Sequence, residues 1–482
     1  MNKKYRQFRA GKLETAAFVS GFVLMVYELA GARMLAPYVG SSTYVWTSVI
    51  GVIIAALSIG YYLGGRIADA RGYVIDIARI CLGIALTVAF TLVSYVDVLT
   101  WVVDSFNDAR VQGVIASLIL FAPTSVLLGI LSPYLVKMNV TSLKTSGRSV
   151  ASLSALNSVG GIVGTFMAGF VLFGFMGSRE TMLLVSVAML VLSWMFTPSV
   201  QWRARAVVSV AVITLLLGSL GSQQVTRIDT PSANYTIMEY INDEGRLVRG
   251  LATGPNAAQS GVYANNSPGL AFWYTRQIDA IVQQQPAKQS LLILGGGAFT
   301  MTQRFAQQYP DATIDTVEID PKLADIARKY FQYDDPANAH LIFEDARTFV
   351  NTTQKTYDIV IVDVYGDTHV PFSLMTSEYG DRIAAITKPG GVVVVNMIAA
   401  SQGGCYQQLR ALDAPYRARF SDVRYSAQSP GSRYGNYVVT YSNVAQNWMG
   451  GVPLSLPATG AYTDNYAPAE RLQQGCDSER TT

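Results

Sequence analysis

The stretch Leu291–Asp320, LLILGGGAFTMTQRFAQQYPDATIDTVEID, decides the fold of the second half of this chain. A short apolar run, Leu291–Leu294, ends at Gly295, Gly296 and Gly297, a helical segment follows, and a second strand at 314–319 carries Glu318. Glycines after a first strand let the backbone approach a ligand closely, and an acid about twenty residues later can bind a ribose. The pattern predicts a ligand-binding strand–turn–helix–strand unit. A tight turn in an ordinary α/β domain is the alternative.

Strands and helices keep alternating beyond this unit, which predicts a parallel sheet with helices on both faces, a Rossmann-like arrangement. The predicted strands are 291–294, 314–319, 340–343, 358–362 and 392–396, the last one after the turn Pro389-Gly390-Gly391, with a late antiparallel pair at 421–426 and 436–441. Two short strands, 235–240 and 246–251, surround the turn Asn242–Gly245 and predict a small β-rich lead-in.

Three acids follow three successive predicted strands: Glu318, Asp345 and Asp363. Ligands of open α/β sheets sit beyond the carboxyl ends of the strands, so these acids are expected to lie together. Glu318 is expected to accept hydrogen bonds from ribose hydroxyls, and Asp345 from an exocyclic amine of adenine. Asp363 is expected at the reacting centre, where it orients an amine or takes its proton. The alternative for each acid is a helix N-cap.

The composition divides the chain of 482 residues into two unlike halves. Residues 1–222 hold apolar runs of membrane length, whereas residues 223–482 have the mixed composition of a soluble domain. We therefore predict a helical membrane domain at 1–222, the β lead-in at 223–287 and the Rossmann-like domain at 288–482. The net charge of +3 says little about nucleic acid, but no basic stripe with interleaved aromatics appears, so no nucleic-acid partner is expected.

We predict about seven membrane spans in residues 1–222, each close to the twenty residues that are needed to cross a bilayer. They lie at 15–37, 44–64, 76–97, 112–136, 150–174, 180–197 and 206–222. Lysines and arginines collect in alternate loops, and the positive-inside rule then places the N-terminus in the cytoplasm. Seven spans would leave the second half outside, whereas the supply of a cytoplasmic cosubstrate favours the inside, so the side of the soluble domain stays open. Small residues Gly160, Gly161 and Gly164 predict close helix contact.

Cysteine and histidine are too scarce for a disulfide framework or a metal site. With three cysteines and two histidines, we expect no metal. Cys405 and Cys476 both lie in the second half; two unpaired thiols are the expectation, and a disulfide between them is the alternative.

Several of these segments resemble the spermidine synthase (aminopropyltransferase) family. The matching pieces are ILGGG at 293–297, VEIDPKL at 317–323, EDA at 344–346, YDIVIVD at 357–363 and KPGGVVVVN at 388–396. The whole chain resembles the membrane-fused, polyamine-synthase-like proteins of bacteria. The resemblance implies a transferase in the bacterial inner membrane that has no tightly bound cofactor. Its cosubstrate would be S-adenosylmethionine or the decarboxylated form, which contacts Gly295–Gly297, Glu318, Asp345, Ala346, Gln259 and Tyr274, with Asp363 as the catalytic residue.

The departures from that family bear on the cosubstrate. The position of an acid that holds the amine of the decarboxylated cosubstrate is Ala298, and Arg276 stands where the lead-in motif of the family has an acid. These changes suit a ligand that keeps its carboxylate, so intact S-adenosylmethionine is expected to lose its aminocarboxypropyl arm and leave methylthioadenosine. Tyr365, Asp367 and Arg276 are the predicted substrate contacts.

Two other functions stay open at this point. The same sheet and strand-end acids occur in methyltransferases, which would release S-adenosylhomocysteine instead. A transporter or sensor is the third reading, because Glu28 is an ionisable residue at membrane depth and the loop Gly65–Gly72 resembles a transporter loop. The expected partners are a small-molecule amine or adenosyl substrate and the lipid bilayer. Homodimerisation stays open.

Overall fold

The structure is a computed structural model that describes residues 3–40, 42–106, 108–140, 146–221, 226–253, 258–265, 267–364, 371–428, 434–445, 452–453, 456, 459–469, 471–472 and 476. The chain forms two compact units. One comprises Met1–Gln224 with Ile228–Pro231, and the other comprises Val225–Arg227 with Ser232–Thr482. The division falls close to the composition change at residue 222.

The first unit is a helical bundle. Its helices are α1 (Lys3–Val39), α2 (Thr43–Ala70), α3 (Val74–Ser105), α4 (Ala109–Leu120), α5 (Ala122–Asn139), α6 (Ser146–Met167), α7 (Phe173–Phe175), α8 (Ser178–Met195) and α9 (Trp202–Gly221). A π-helical segment, Ala168–Leu172, joins α6 to α7. Five spans are long and apolar enough to cross a bilayer, and the pair α4–α5, bent by 54°, makes a sixth when counted as one span. Within the described residues α9 is not among these six, so the count of seven stays a prediction.

Close contact between α1 and α6 depends on small residues, as the sequence predicts. A Cβ atom added at Gly160 would lie 2.0 Å from the carbonyl oxygen of Phe18, and one at Gly164 would lie 2.5 Å from that of Phe22. Any larger side chain would therefore push the two helices apart, which explains the glycines at this interface.

The second unit begins with the β-rich lead-in. Strands β1 (Thr226–Asp229), β2 (Asn234–Ile241), β3 (Leu247–Ala252) and β4 (Ser260–Tyr263) form a four-stranded sheet in that order, and the last two residues of β1, Ile228 and Asp229, are grouped with the first unit. The hairpin between β2 and β3 turns at Asn242–Gly245, where the Asn242 side chain accepts hydrogen bonds from the backbone N–H groups of Glu244 and Arg246. The two strands predicted around this turn are thus confirmed.

The main sheet has eight strands in the order β12-β10-β11-β9-β8-β5-β6-β7. The strands are β5 (Ser290–Leu294), β6 (Thr313–Glu318), β7 (Ala339–Phe343), β8 (Tyr357–Val362), β9 (Thr387–Ala399), β10 (Asp422–Ala427), β11 (Gly435–Ser442) and β12 (Val452–Pro453). The helices are α10 (Trp273–Gln284), α11 (Thr300–Gln308), α12 (Lys322–Tyr330), α13 (Ala346–Thr352), α14 (Ser377–Ile386) and α15 (Gly404–Arg417).

Strands β5 to β9 pair in parallel, whereas β10, β11 and β12 join antiparallel, so the sheet is mixed rather than wholly parallel. The predicted turn at Pro389–Gly391 is wrong as a boundary. Strand β9 already begins at Thr387 and passes through it, with a register irregularity opposite Tyr357 and Ile359. A bulge accommodates the glycines there without ending the strand.

Alternate residues of the central strands face two apolar cores. Leu292 and Leu294 pack with α13, α14 and α15 on one face, and Leu291 and Ile293 pack with α10 and α11 on the other. This period of two on a fully buried strand explains the continuous apolar run in the sequence.

Cys405 and Cys476 form a disulfide that joins the start of α15 to the C-terminal segment, and both residues are fully buried. The expectation of two unpaired thiols is therefore wrong. The fold brings residues 71 positions apart into one small cluster with Ala400, which spacing along the chain does not reveal.

Candidate active site

The glycine turn after β5 requires its glycines for two physical reasons. Gly295 and Gly297 have φ values of +95° and +51°, in the region that side chains with a Cβ rarely adopt. A Cβ at Gly295 would also lie 2.0 Å from the carbonyl oxygen of Asp363. The turn therefore packs directly against the loop that follows β8, which brings the ends of β5 and β8 together.

Ala298 and Phe299, just beyond the glycines, are buried. The Ala298 N–H donates to Ser260 Oγ at 3.2 Å, and the Phe299 ring packs against Tyr333 with centroids 5.4 Å apart. Phe299 has a φ of +54°, an uncommon conformation for a bulky residue. This side of the turn is therefore an apolar, fully packed support with no carboxylate at position 298.

Glu318 lies at the end of β6 and faces the glycine turn, as predicted. Its Oε2 accepts from the N–H groups of Gly296 at 2.9 Å and Gly297 at 3.2 Å, and its Oε1 accepts from the Asp320 N–H at 3.1 Å. Burial raises the pKa of Glu318, and these backbone donors act in the opposite direction. Oε2 already accepts two hydrogen bonds, so the further acceptor capacity lies mainly on Oε1, which a hydroxyl of a ribose could use.

Asp345 caps helix α13. Its Oδ1 accepts from the Thr348 N–H at 3.0 Å and from the Thr348 hydroxyl at 3.3 Å, while the residue itself is exposed. The helix N-cap alternative thus accounts for one carboxylate oxygen. Contact of Asp345 and the following Ala346 with an adenine stays a prediction.

Asp363 follows β8 and is held by a chain of amides. Its N–H donates to the Leu294 carbonyl at 2.8 Å, which fixes the backbone beside the glycine turn. Its Oδ1 accepts from Asn396 Nδ2 at 2.9 Å, and Asn396 Oδ1 accepts in turn from Asn436 Nδ2 at 2.9 Å. Because Asn436 is a donor, the Asn396 amide is oriented with its NH₂ group toward the carboxylate.

Burial raises the pKa of Asp363 to about 6, and hydrogen bonds from Asn396 and Tyr274 only partly offset it. Both donors are neutral. The Tyr274 hydroxyl also donates to the Gln259 carbonyl at 2.8 Å, so its single proton is shared between this carbonyl and Asp363. Burial and the neighbouring Asp363 raise the pKa of Tyr274 well above its usual value. A carboxylate in this setting can accept a proton near neutral pH.

Tyr274 therefore reaches Asp363 and also contacts the backbone carbonyl of Gln259, but Arg276 does not join this group. Its guanidinium donates to Glu244 Oε1 at 2.6 Å, to the Tyr263 hydroxyl and to the carbonyls of Leu270 and Ala271. These contacts hold Arg276 against the lead-in hairpin. The other two predicted substrate contacts, Tyr365 and Asp367, lie outside the described residues.

The structure adds residues that the sequence reasoning missed: Asn396, Asn436, Ser260 and Tyr235. Tyr235 hydrogen-bonds to Asp320, and its pKa is raised by burial and by the nearby carboxylates of Asp320 and Glu318. Asn396 ends the quoted segment KPGGVVVVN, so a polar residue after an apolar strand was an available signal. Asn436, Ser260 and Tyr235 lie in ordinary strand sequences that give no such signal.

A comparison with known protein families points to the part of the chain that holds these residues. Residues 271–410 match the model of the spermine/spermidine synthase domain. They include the glycine turn, Glu318, Asp363 and Asn396, so most of the site described above lies within this matched stretch, here called the synthase domain after the family model. Tyr235, Gln259 and Ser260 precede it, and Asn436 follows it.

Among curated proteins, a probable polyamine aminopropyl transferase of Bifidobacterium longum is 39% identical over 114 residues, 24% of this chain and 25% of that protein. A polyamine aminopropyltransferase of Vibrio vulnificus is 28% identical over 173 residues, 35% of this chain and 56% of that protein. The chain thus spans from a quarter to just over half of the length of these relatives.

Solved structures with similarity include a probable spermidine synthase of Corynebacterium glutamicum, which is 25% identical with a TM-score of 0.38 and covers 44% of this chain and 77% of its own. A second is a spermidine synthase in complex with the transition state analogue AdoDATO, 17% identical with a TM-score of 0.35, covering 46% of this chain and 73% of its own.

Proposed function

We propose that the synthase domain is a membrane-tethered transferase that moves the aminopropyl or aminocarboxypropyl arm of an S-adenosylmethionine-type cosubstrate to an amine. In this reaction the bond from the arm to the sulfonium sulfur breaks, and a carbon–nitrogen bond to the acceptor forms. The sulfur keeps the electron pair, so methylthioadenosine leaves as a neutral thioether. The acceptor nitrogen then loses one proton.

One observation carries this proposal: Asp363 is a half-buried carboxylate beside the glycine turn that receives hydrogen bonds from the neutral donors Asn396 and Tyr274. No donor in this set neutralises its charge, so its ionised form can stabilise the cationic amine and accept its proton. The sulfonium is already a good leaving group, so the remaining task of the protein is to position the nucleophile.

The rest of the site suits the nucleoside part of the cosubstrate. Glu318 is fixed by the amides of Gly296 and Gly297 at the turn, where it would accept from ribose hydroxyls. Asp345 and Ala346 begin α13 after the next strand and would contact the base. No resident cofactor is part of this proposal, since the cosubstrate itself supplies the leaving group.

The choice between the intact and the decarboxylated cosubstrate depends on position 298. Ala298 is 1% exposed and donates its N–H to Ser260, so this position offers no acid to an ammonium group. That favours the intact cosubstrate with its carboxylate. Arg276 adds no support to this choice, because Glu244 and three oxygen acceptors already hold its guanidinium.

The test is to incubate the purified full chain with S-adenosylmethionine or its decarboxylated form, each with and without putrescine, and to identify all products by mass spectrometry. We expect methylthioadenosine with the wild-type chain and a loss of at least 100-fold with Asp363→Asn. Formation of S-adenosylhomocysteine instead would identify a methyltransferase and overturn the proposal. A strong preference for the decarboxylated form would overturn only the assignment of the cosubstrate.

The membrane association is part of the proposal. The five or six helices of sufficient length and hydropathy support a multi-pass protein of a bacterial inner membrane. Sedimentation of the full chain with membranes after an alkaline carbonate wash would support this, whereas release by the wash would contradict it.

A further inference from the structure

We infer that α9 completes a seventh crossing and that the synthase domain lies on the extracytoplasmic side of the membrane. This inference rests on contacts within the helical unit, on the distribution of its positive charges and on a disulfide. It does not depend on which reaction the domain catalyses.

Contacts within the bundle define one end, here called the basic end. Lys12 Nζ in the first part of α1 donates to the Met195 carbonyl at the end of α8, at 3.0 Å. Ser193 Oγ in the last turn of α8 donates to the Ala78 carbonyl near the start of α3, at 2.6 Å. Arg205, near the start of α9, also donates to the Ala78 carbonyl, at 3.5 Å. Helix α9 therefore starts at the basic end.

Residues that follow α9 contact the opposite end of the same unit. The Ser178 N–H at the start of α8 donates to Asp229 Oδ2 at 2.8 Å. Arg33, in the second half of α1, donates to the carbonyl oxygen of Thr230 and lies over the Phe173 ring. Lys12 and Arg33 are 21 residues apart on α1, roughly 30 Å at the rise of an α-helix. The chain thus leaves the bundle at the end opposite to the start of α9.

The length of α9 fits a complete crossing. It has 20 residues, from Trp202 to Gly221, which correspond to roughly 30 Å, the thickness of the hydrocarbon core of a bilayer. Its position between the two ends makes it the seventh span that the sequence predicts at 206–222.

The two ends differ in positive charge. Among the described residues, the lysines and arginines at the basic end lie in the first part of α1 and in or beside the connections α2–α3, α5–α6 and α8–α9: Lys12, Arg66, Arg71, Arg79, Lys137, Arg148, Arg203 and Arg205. The ion pair of Lys137 with Asp69, at 2.6 Å, brings the ends of α5 and α2 together there. The opposite end has Arg33, Arg110 and Arg179. By the positive-inside rule the basic end is cytoplasmic.

The disulfide between Cys405 and Cys476 is an independent indication of the compartment. Disulfides persist in oxidising environments such as the periplasm and are rare in the cytoplasm. Both cysteines are fully buried in the second unit, where the pair closes a loop of 71 residues. The remaining cysteine, Cys81, is buried within α3 of the bundle. The second unit, which contains the synthase domain, therefore carries a bond that an oxidising compartment would preserve.

This orientation has a consequence for the substrates. A sulfonium cosubstrate and a protonated amine are charged, and charged groups enter a bilayer core only at a high cost in free energy. Both compounds must then be delivered to the outer side by export or release, because the synthase domain would not meet the cytoplasmic pool.

The first test is protease access in intact spheroplasts that express the full chain with a C-terminal epitope. We expect external protease to remove the epitope while a cytoplasmic marker protein survives. Protection of the epitope until detergent is added would overturn the inference. The assay measures on which side of the membrane the C-terminus lies and not enzymatic activity. Its outcome is therefore independent of whether the proposed reaction occurs.

The second test is the thiol state in cells. Trapping with a maleimide reagent before lysis, followed by denaturation, should leave Cys405 and Cys476 unmodified unless a reductant is added. The double variant Cys405→Ser/Cys476→Ser is the matched control, and its modification should not respond to reductant. Modification of both cysteines without reductant would show free thiols and contradict the oxidising compartment.

Discussion

Two aspartates at opposite ends of the strands of the main sheet, Asp315 buried and Asp363 half-buried, show what separates a structural carboxylate from the proposed catalytic one. Asp315 lies on β6 toward the amino edge, and Asp363 follows β8 at the carboxyl edge. Asp315 Oδ2 accepts from Lys355 Nζ and the Tyr357 hydroxyl, each at 2.8 Å, and its Oδ1 lies 3.1 Å from His340 Nδ1. Burial opposes ionisation of Asp315, but these donors outweigh it and lower its pKa.

Asp363 carries the same carboxyl group, but its pKa is shifted in the opposite direction. Burial raises its pKa to about 6, because Asn396 and Tyr274 are neutral donors that offset only part of the desolvation. The cationic partner Lys355 of Asp315 therefore accounts for the opposite direction of the two pKa shifts. At the amino ends of the strands, the carboxylate of Asp315 binds residues of neighbouring segments and stabilises the sheet. At the carboxyl ends, the carboxylate of Asp363 can exchange a proton.

The largest effect should come from Asp363→Asn. Loss of the proton acceptor is expected to lower kcat by about 10²- to 10⁴-fold, with a much smaller change in cosubstrate affinity. Product formation and calorimetric binding measure the two quantities separately. Asp381→Asn, which alters an exposed pair with Arg419, is the matched control and should stay within about twofold of wild type. Retained activity in Asp363→Asn would remove the contrast between the two sites.

Asp315→Asn should act on stability instead. We expect a loss of about 2 kcal/mol, seen as a fall in Tm of about 5 °C at pH 7 by scanning calorimetry in detergent. Because the pKa of Asp315 is lowered, its stabilisation is present above about pH 4 and disappears as the pH falls through the folded-state pKa. The Tm difference should therefore shrink in acid. A difference that grows in acid would contradict the assigned sign.

The pH dependence of the wild-type reaction should report Asp363. A base must be ionised to accept a proton, so kcat/KM is expected to rise with pH and to reach its plateau above a midpoint near 6. The rate at pH 5 should be about tenfold below the plateau, since one pH unit below the pKa leaves about a tenth of the group ionised. A flat profile between pH 5 and 8 would indicate that Asp363 does not take the proton.

Asn396→Leu should produce the smallest change, a shift of that profile. Removing a hydrogen bond to an ionised carboxylate costs roughly 1.5 kcal/mol, which raises the pKa of Asp363 by about one unit. At pH 6 the rate is expected to fall about fivefold, and it should recover at pH 8. Asn436→Leu is the control, because it removes the donor that orients Asn396 and leaves the hydrogen bond from Asn396 to Asp363 possible. It should shift the pH profile in the same direction by a smaller amount. A loss that does not recover at high pH would indicate a structural role.

The sequence predicted the features that local chemistry specifies. Three consecutive glycines after an apolar strand have few uses other than a turn in close contact, and Gly295 does approach Asp363 too closely for any Cβ. Acids at strand ends were found for the same reason, since a parallel sheet gathers those ends on one edge. The lead-in hairpin followed from Asn242 and Gly245, whose turn chemistry is local.

Only the tertiary structure decided which of these residues act together. Asn436 reaches Asn396 across paired strands, Cys476 meets Cys405 over 71 residues, and Asp229 meets Ser178 over 51, and no local pattern encodes such contacts. The tertiary structure also decided how the charge of each aspartate is stabilised. The sequence shows Asp315 and Asp363 as similar acids, but packing gives one a lysine and the other two neutral donors. A pKa depends on neighbours in space, so the contrast between the two aspartates became visible only after the fold had placed their neighbours.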